Sequence, residues 1–208
     1  MNHKGVGVNR TALHYAIQNG HLDLALLLLD RGADANDCHV TQREGSPGSR
    51  RLQVLVPSPY CYAIELGHDG IVETMLTKGL CSADSFRVPG HRTRPLSLAL
   101  QGVVTEELSR RFRIVKLLLE HGARPEDEDS LLAVRWPTAE TLRELLNHGA
   151  DPNGILRLPN MTYWTLLHIL CAESFVGERM EKIKMVIEAG GDPNAKDRVW
   201  SCTPALKK

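Results

Sequence analysis

Long apolar runs are missing from this sequence of 208 residues. None approaches the roughly 18 residues that a membrane-spanning helix needs, and the opening MNHKGVGVNR lacks the apolar core of a signal peptide. The five cysteines form an odd, scattered set, which favours reduced thiols over a disulfide framework. We therefore expect an intracellular protein, cytoplasmic or nuclear, without a membrane partner.

An excess of one charge is missing as well. Lysine and arginine together number 25, and so do aspartate and glutamate. A balanced chain gives no general reason to expect nucleic acid or an anionic membrane surface as a partner. A nucleic-acid binder would need a basic surface that the net charge does not promise.

Motifs for catalysis and for ligand binding are also lacking. There is no HExxH, no CxxC pair, no phosphate-binding glycine loop and no GxSxG sequence. Three aspartates, Asp34, Asp151 and Asp192, each precede an asparagine by two residues. In the repeat register described below they occupy the same turn position in three repeats. This predicts that each carboxylate bonds to the backbone of its own turn and takes no part in acid–base chemistry. We expect no catalysis, no cofactor and no metal in this segment.

What the sequence does contain is a repeated helix pair, clearest between Thr11 and Asn36. Thr11 is a good N-cap for a first helix. Gly20 and Gly32 stand where two short helices have to end, because glycine adopts the left-handed conformation without a Cβ clash. A helix pair this small has two apolar faces and cannot bury both alone, so it needs copies of itself.

The copies align on the glycine that ends the second helix of each pair. Seven, four and three residues before that glycine, all fifteen positions are apolar, with the i, i+3, i+4 spacing of one helical face. The glycines are Gly32, Gly79, Gly122, Gly149 and Gly190. The first helices carry a small residue at one register position in four copies, namely Ala16, Ala63, Ala99 and Ala133, and the fifth copy has Leu170.

The first six residues of several copies are variants of one sequence pattern. They read TALHYA from Thr11, SPYCYA from Ser58 and RPLSLA from Arg94, and a later one reads TLLHIL from Thr165. The sequence resembles the ankyrin-repeat family, whose repeat of about 33 residues carries a T-P-L-H-x-A signature. The resemblance implies an all-α solenoid of stacked antiparallel helix pairs with projecting hairpin-like loops. It also implies a structural hydrogen bond between Thr11 and His14.

We therefore predict a single repeat array over residues 1–208, and its predicted repeats span 9–36, 57–80, 93–123, 127–153 and 162–194, with a partial repeat at 199–208. The glycine-to-glycine spacings depart from the family length. The largest insertion is a long loop at 37–57, which contains the turn-forming residues Gly45 to Ser49.

The function that the resemblance implies is protein–protein recognition, as a scaffold that binds through its loop tips and concave face. The first two inter-repeat loops are rich in arginine, whereas residues 126–129 are all acidic. We expect a protein partner, either acidic or phosphorylated, on Arg43, Arg50, Arg51, Arg87, Arg92 and Arg94. The alternative is the substrate-recognition part of a larger enzyme or ubiquitin-ligase receptor. The resemblance further implies Asn36 and Asn194 as hydroxylation acceptors.

Overall fold

The computed structural model describes residues 10–43, 52–84, 94–101, 108–157, 162–172 and 177–199. Ten α-helices lie in these ranges, two in each predicted repeat. They are α1 Ala12–Gln18, α2 Leu22–Asp30, α3 Pro59–Glu65, α4 Asp69–Thr77, α5 Pro95–Leu100, α6 Leu108–Glu120, α7 Asp127–Val134, α8 Glu140–Asn147, α9 Leu166–Ala172 and α10 Arg179–Glu188. The predicted all-α repeat architecture is confirmed. None of the described helices is long and apolar enough to cross a membrane.

The chain divides into two compact units, residues 1–123 and residues 124–208. The first unit contains α1 to α6, which are the helix pairs that we call repeats 1, 2 and 3. The second contains α7 to α10, which are repeats 4 and 5. Within the first unit α1 packs on α3 and α3 on α5, while α2 packs on α4 and α4 on α6. Within the second, α7 packs on α9 and α8 on α10.

Local sequence sets where the helices begin and end. Pro59 and Pro95 occupy the first turn of α3 and α5, where the missing N–H leaves no hydrogen bond unmade. All five glycines that end second helices have positive φ, from +63° at Gly79 to +98° at Gly190. In repeat 1 this conformation directs the Ala33 N–H back to the Leu28 carbonyl at 2.9 Å, which satisfies an orphan carbonyl of α2.

The predicted register positions form most of the core. Eleven of the fifteen apolar residues are buried, and Leu28, Leu146 and Ile183 are half-buried. The exception is Ile187 in α10, which is 45% exposed. All five first-helix positions that carry alanine or Leu170 are at most 2% exposed, so neighbouring helices approach closely there.

The segment at 37–57, which we predicted as a loop, contains a β-hairpin. Strand β1 (His39–Arg43) pairs antiparallel with β2 (Leu52–Val56), in a register that joins His39 to Val56 and Arg43 to Leu52. The β-branched residues Val40, Thr41, Val54 and Val56 on either side of the turn favour extended backbone. In the second unit, β3 (Leu156–Arg157), β4 (Thr162–Trp164) and β5 (Arg198–Val199) form a three-stranded antiparallel sheet in that order.

Candidate functional site

The start of α1 is tied to the next repeat through a buried histidine. The His14 Nδ1 atom accepts from the Thr11 backbone N–H at 3.1 Å, so this nitrogen carries no proton. The Thr11 hydroxyl therefore donates to the same atom at 2.8 Å, and Nε2 donates to the Pro57 carbonyl oxygen at 2.9 Å. The predicted Thr11–His14 bond is present. A neutral imidazole thus joins repeat 1 to Pro57, two residues before the start of α3.

The turns after the second helices repeat one hydrogen-bond pattern. The Asp34, Asp151 and Asp192 carboxylates each accept from the backbone N–H two residues later, at 2.8 Å in all three turns. The predicted structural role of these aspartates is confirmed. The aspartates thereby fix the backbone of each turn, as in other Asx turns.

Asparagine side chains join successive turns within each unit. The Asn36 amide donates to the Leu80 carbonyl oxygen at 2.8 Å. In the second unit Asn153 donates to the Gly190 carbonyl oxygen at 2.9 Å and accepts from the Asp192 N–H at 2.7 Å. The turns of repeats 1 and 2, and those of repeats 4 and 5, are therefore cross-linked into a row of exposed turns. Hydroxylation of Asn36 and Asn194, both of which lie on this row, stays a prediction.

A groove opens beside the turns of the second unit. Its volume is about 440 Å³, and polar groups of Asn153, Tyr163, Thr165 and Asp192 line it together with the half-exposed Ile155. Asn194, Ala195 and Lys196 complete its wall. This mixture of apolar and hydrogen-bonding groups suits a segment of polypeptide rather than a buried small molecule.

The structure describes only some of the arginines that we predicted to bind a partner. Arg50, Arg51, Arg87 and Arg92 lie outside the described residues, and of Arg43 only the backbone, at the end of β1, is described. The Arg94 guanidinium donates to the Asp84 carboxylate at 2.8 Å across the second loop. Arg94 therefore stabilises the fold locally, whatever else it binds.

The acidic run at 126–129 is partly structural. Asp129 is fully buried, and its carboxylate accepts from the Glu126 backbone N–H at 2.9 Å as the third residue of a capping box. The pKa of the Asp127 carboxyl is raised by partial burial and by the neighbouring Asp151. Only Glu126 and Glu128 remain exposed, so the surface here is less acidic than the sequence suggested.

A buried lysine was not anticipated from the sequence. Lys182 of α10 is 0% exposed, and its ammonium donates to the carbonyl oxygens of Val134 at 3.0 Å and Trp136 at 2.5 Å. Burial lowers the pKa of Lys182, while the nearby Glu178 carboxylate acts in the opposite direction. The signal that could have found it is its register position, eight residues before the glycine, where Leu24, Ile71 and Ile114 stand in the first three repeats.

The turn before α10 fits closely against the turn before α8. A Cβ on Gly177 would come within 2.4 Å of the Pro137 carbonyl oxygen. The next residue, Glu178, has φ of +47° and accepts from the Ala139 N–H at 2.6 Å. Trp136, which stands between α7 and α8, is fully buried. Together with Lys182, these contacts fasten repeat 5 to repeat 4.

Burial disfavours the reactive thiolate form of two cysteines. Burial raises the pKa of the Cys61 thiol to about 11 and that of Cys81 to about 12. Burial likewise raises the pKa of the Tyr60 hydroxyl, which has no hydrogen-bond partner within the part of the chain that the structure describes. Over the described ranges, no three histidine, cysteine or acidic side chains are grouped so as to hold a metal ion.

Comparison with known proteins identifies the repeat. Residues 9–40, which include α1, α2 and the start of β1, match the family model described as ankyrin repeat. This segment is similar to an ankyrin repeat. The other four helix pairs have the same register and the same positive-φ glycine; three of them carry the same buried alanine, and the fifth has the buried Leu170 there.

Similarity extends to a solved ankyrin domain. The ankyrin repeat domain of human ASB11, known from a crystal structure, is 18% identical to this chain with a TM-score of 0.45. The comparison covers 90% of this chain and 87% of the ASB11 domain. Comparison with curated proteins gave no match.

Proposed function

We propose that this protein is a protein-binding module whose basic loops take an acidic or phosphorylated partner segment. Ankyrin repeats are in general protein–protein interaction modules, and exposed loops on a rigid scaffold are where such modules carry specificity. The cross-linked turns of each unit provide that rigidity, since Asn36 and Asn153 are both bonded to the following turn.

The observation that carries the choice of partner is the hairpin register. Arg43 pairs with Leu52, which directly follows Arg50 and Arg51 in the sequence. Arg43 thus ends β1, and Arg50 and Arg51 belong to the segment that connects β1 to β2 in the sequence. Several arginines in one short segment of sequence suit a partner that carries phosphate or carboxylate groups, because the planar fork of arginine makes paired hydrogen bonds.

The proposal is tested with acidic peptides, with and without phosphoserine, whose binding is measured by fluorescence anisotropy at two ionic strengths. Arg50→Glu with Arg51→Glu, and separately Arg87→Glu with Arg92→Glu, should weaken binding about tenfold or more and flatten its salt dependence. Arg110→Glu is the matched control, because Arg110 is an exposed arginine of α6 that belongs to neither loop in the sequence. Equal binding by all four proteins would contradict a role for the basic loops.

Absence of binding by every acidic peptide would contradict the partner class instead. The alternative, a substrate-recognition part of a larger enzyme or ubiquitin-ligase receptor, stays a prediction from the family resemblance.

A further inference from the structure

Repeat 1 exposes residues that are buried in other repeats. Leu24, eight residues before the glycine, is 45% exposed, whereas the residues at that position in α4 and α6, Ile71 and Ile114, are at most 1% exposed. Leu28, four residues before the glycine, is half-buried, while Met75 at the equivalent position in α4 is fully buried. In α4 and α6, which pack on the second helices of the preceding repeats, these positions are covered. The surface formed by Asp23, Leu24, Leu28 and Arg31 is therefore built like an inter-repeat contact, and we call it the upstream face.

Repeat 5 exposes the complementary position. Ile187, three residues before the glycine, is 45% exposed, whereas Leu29 and Leu76 at the same position are both 5% exposed. In repeats 1 and 2, whose second helices are each followed and contacted by the second helix of the next repeat, this position is covered. The surface formed by Lys184, Ile187 and Glu188 is the downstream face.

Ion pairs between neighbouring repeats follow a rule of position. The residue six before the glycine in one repeat pairs with the residue nine before the glycine in the next. Arg113 bonds Glu73 at 2.6 Å in the first unit, and Arg143 bonds Glu181 at 2.7 Å in the second. A further pair, Lys78 with Asp30, joins the positions one and two before the glycine.

The same positions can be compared between repeat 5 of one copy of the chain and repeat 1 of a second copy. They give two more pairs of opposite charge. Lys184 stands six before its glycine, and Asp23 stands nine before its own. Glu188 stands two before its glycine, and Arg31 directly precedes its own. All four residues are exposed. The charges of the two faces are therefore complementary in the register that the chain already uses between its own repeats.

We propose that the downstream face of repeat 5 binds the upstream face of repeat 1 of a second copy of this chain. The contact covers Leu24, Leu28 and Ile187 and forms the Lys184–Asp23 and Glu188–Arg31 pairs. Because the two faces differ, the contact is heterologous, and each added copy presents a new face until a ring closes.

The test uses the full chain in sedimentation velocity, at concentrations from about 10 µM to 1 mM, the range of weak protein contacts. The wild-type protein should grow in mass with concentration. Asp23→Lys alone and Lys184→Glu alone should each weaken association about tenfold or more, since each creates a pair of like charges. Glu140→Lys, which reverses an exposed charge in the first turn of α8, is the control and should associate like the wild type.

Mixing the two single variants provides the decisive measurement. An equimolar mixture of Asp23→Lys and Lys184→Glu restores an opposite-charge pair wherever the two variants meet, so the mixture should associate more strongly than either variant alone. Leu24→Gln should abolish association without lowering the helical circular dichroism signal. A strictly monomeric wild-type protein, or a mixture that stays as monomeric as its components, would overturn the proposal.

Discussion

Replacement of Lys182 by methionine separates the two roles of the buried ammonium. Methionine matches the length and apolar stem of lysine but donates no hydrogen bond. The variant leaves the Val134 and Trp136 carbonyl oxygens without their donor. It also removes a charge from a site that is 0% exposed.

The two effects oppose each other near neutral pH. Hydrogen bonds from a charged donor contribute roughly 1.5–3 kcal/mol each, whereas transfer of an ammonium out of water costs several kcal/mol. The pH dependence of the free energy of unfolding distinguishes the cost of burying the charge from the gain of the hydrogen bonds. Because burial lowers the folded-state pKa of Lys182 below its ordinary 10.5, the unfolded chain binds more protons between the lowered value and 10.5. Stability should therefore rise with pH across that window, by up to about 1.4 kcal/mol per pH unit.

The wild type should show the rise, because its neutral amine keeps two N–H donors for the two carbonyls and the folded state therefore tolerates deprotonation. Lys182→Met should not show it, because methionine has no proton to lose at this position. Urea unfolding followed by tryptophan fluorescence measures it, since Trp136, Trp164 and Trp200 all belong to the second unit. Lys184→Met is the matched control on the same helix, where the lysine is exposed. A wild-type advantage over Lys182→Met that stays constant or shrinks as the pH approaches 10.5 would refute the reasoning.

Two further predictions concern the first unit and the cysteines. Leu118→Ala, at a fully buried position of α6, should destabilise the protein by about 2–5 kcal/mol in a circular dichroism melt, and an unchanged melting temperature would contradict the register. In the native protein a thiol reagent should label exposed Cys171 but leave Cys61 and Cys81 unmodified until unfolding, because burial raises the pKa of both thiols; equal labelling rates by mass spectrometry would contradict this.

The fold could be predicted because its strongest determinants are periodic. The glycine that ends each second helix needs positive φ, and the apolar residues before it share one helical face, so both signals recur in register. The same holds for the turn aspartates and for the Thr11–His14 pair, each of which depends on residues close in sequence.

The remaining features depend on residues far apart in sequence. Lys182 is bonded to carbonyls almost fifty positions earlier, and Asn36 reaches the turn of the next repeat. Asp129 looked like a surface charge because it lies in an acidic run, yet the capping geometry buries it. The hairpin β1–β2 was missed because glycine, serine and proline at its turn drew attention away from the β-branched residues on either side.

The position eight residues before the glycine shows that the register predicts whether a residue is buried. It does not predict whether the buried side chain is polar or hydrogen-bonded. Lys182 and Thr141 both stand there as polar residues and both are 0% exposed, but only Lys182 has hydrogen-bond partners. The Thr141 hydroxyl has none among the described residues. A buried hydroxyl without a partner costs roughly 1–3 kcal/mol, and valine has the same shape without the cost. Thr141→Val should therefore stabilise the second unit by about 1 kcal/mol or more in the fluorescence assay, whereas Thr141→Ser, which keeps the hydroxyl and loses a methyl group, should destabilise it. A loss of stability in Thr141→Val would mean that the hydroxyl is bonded after all.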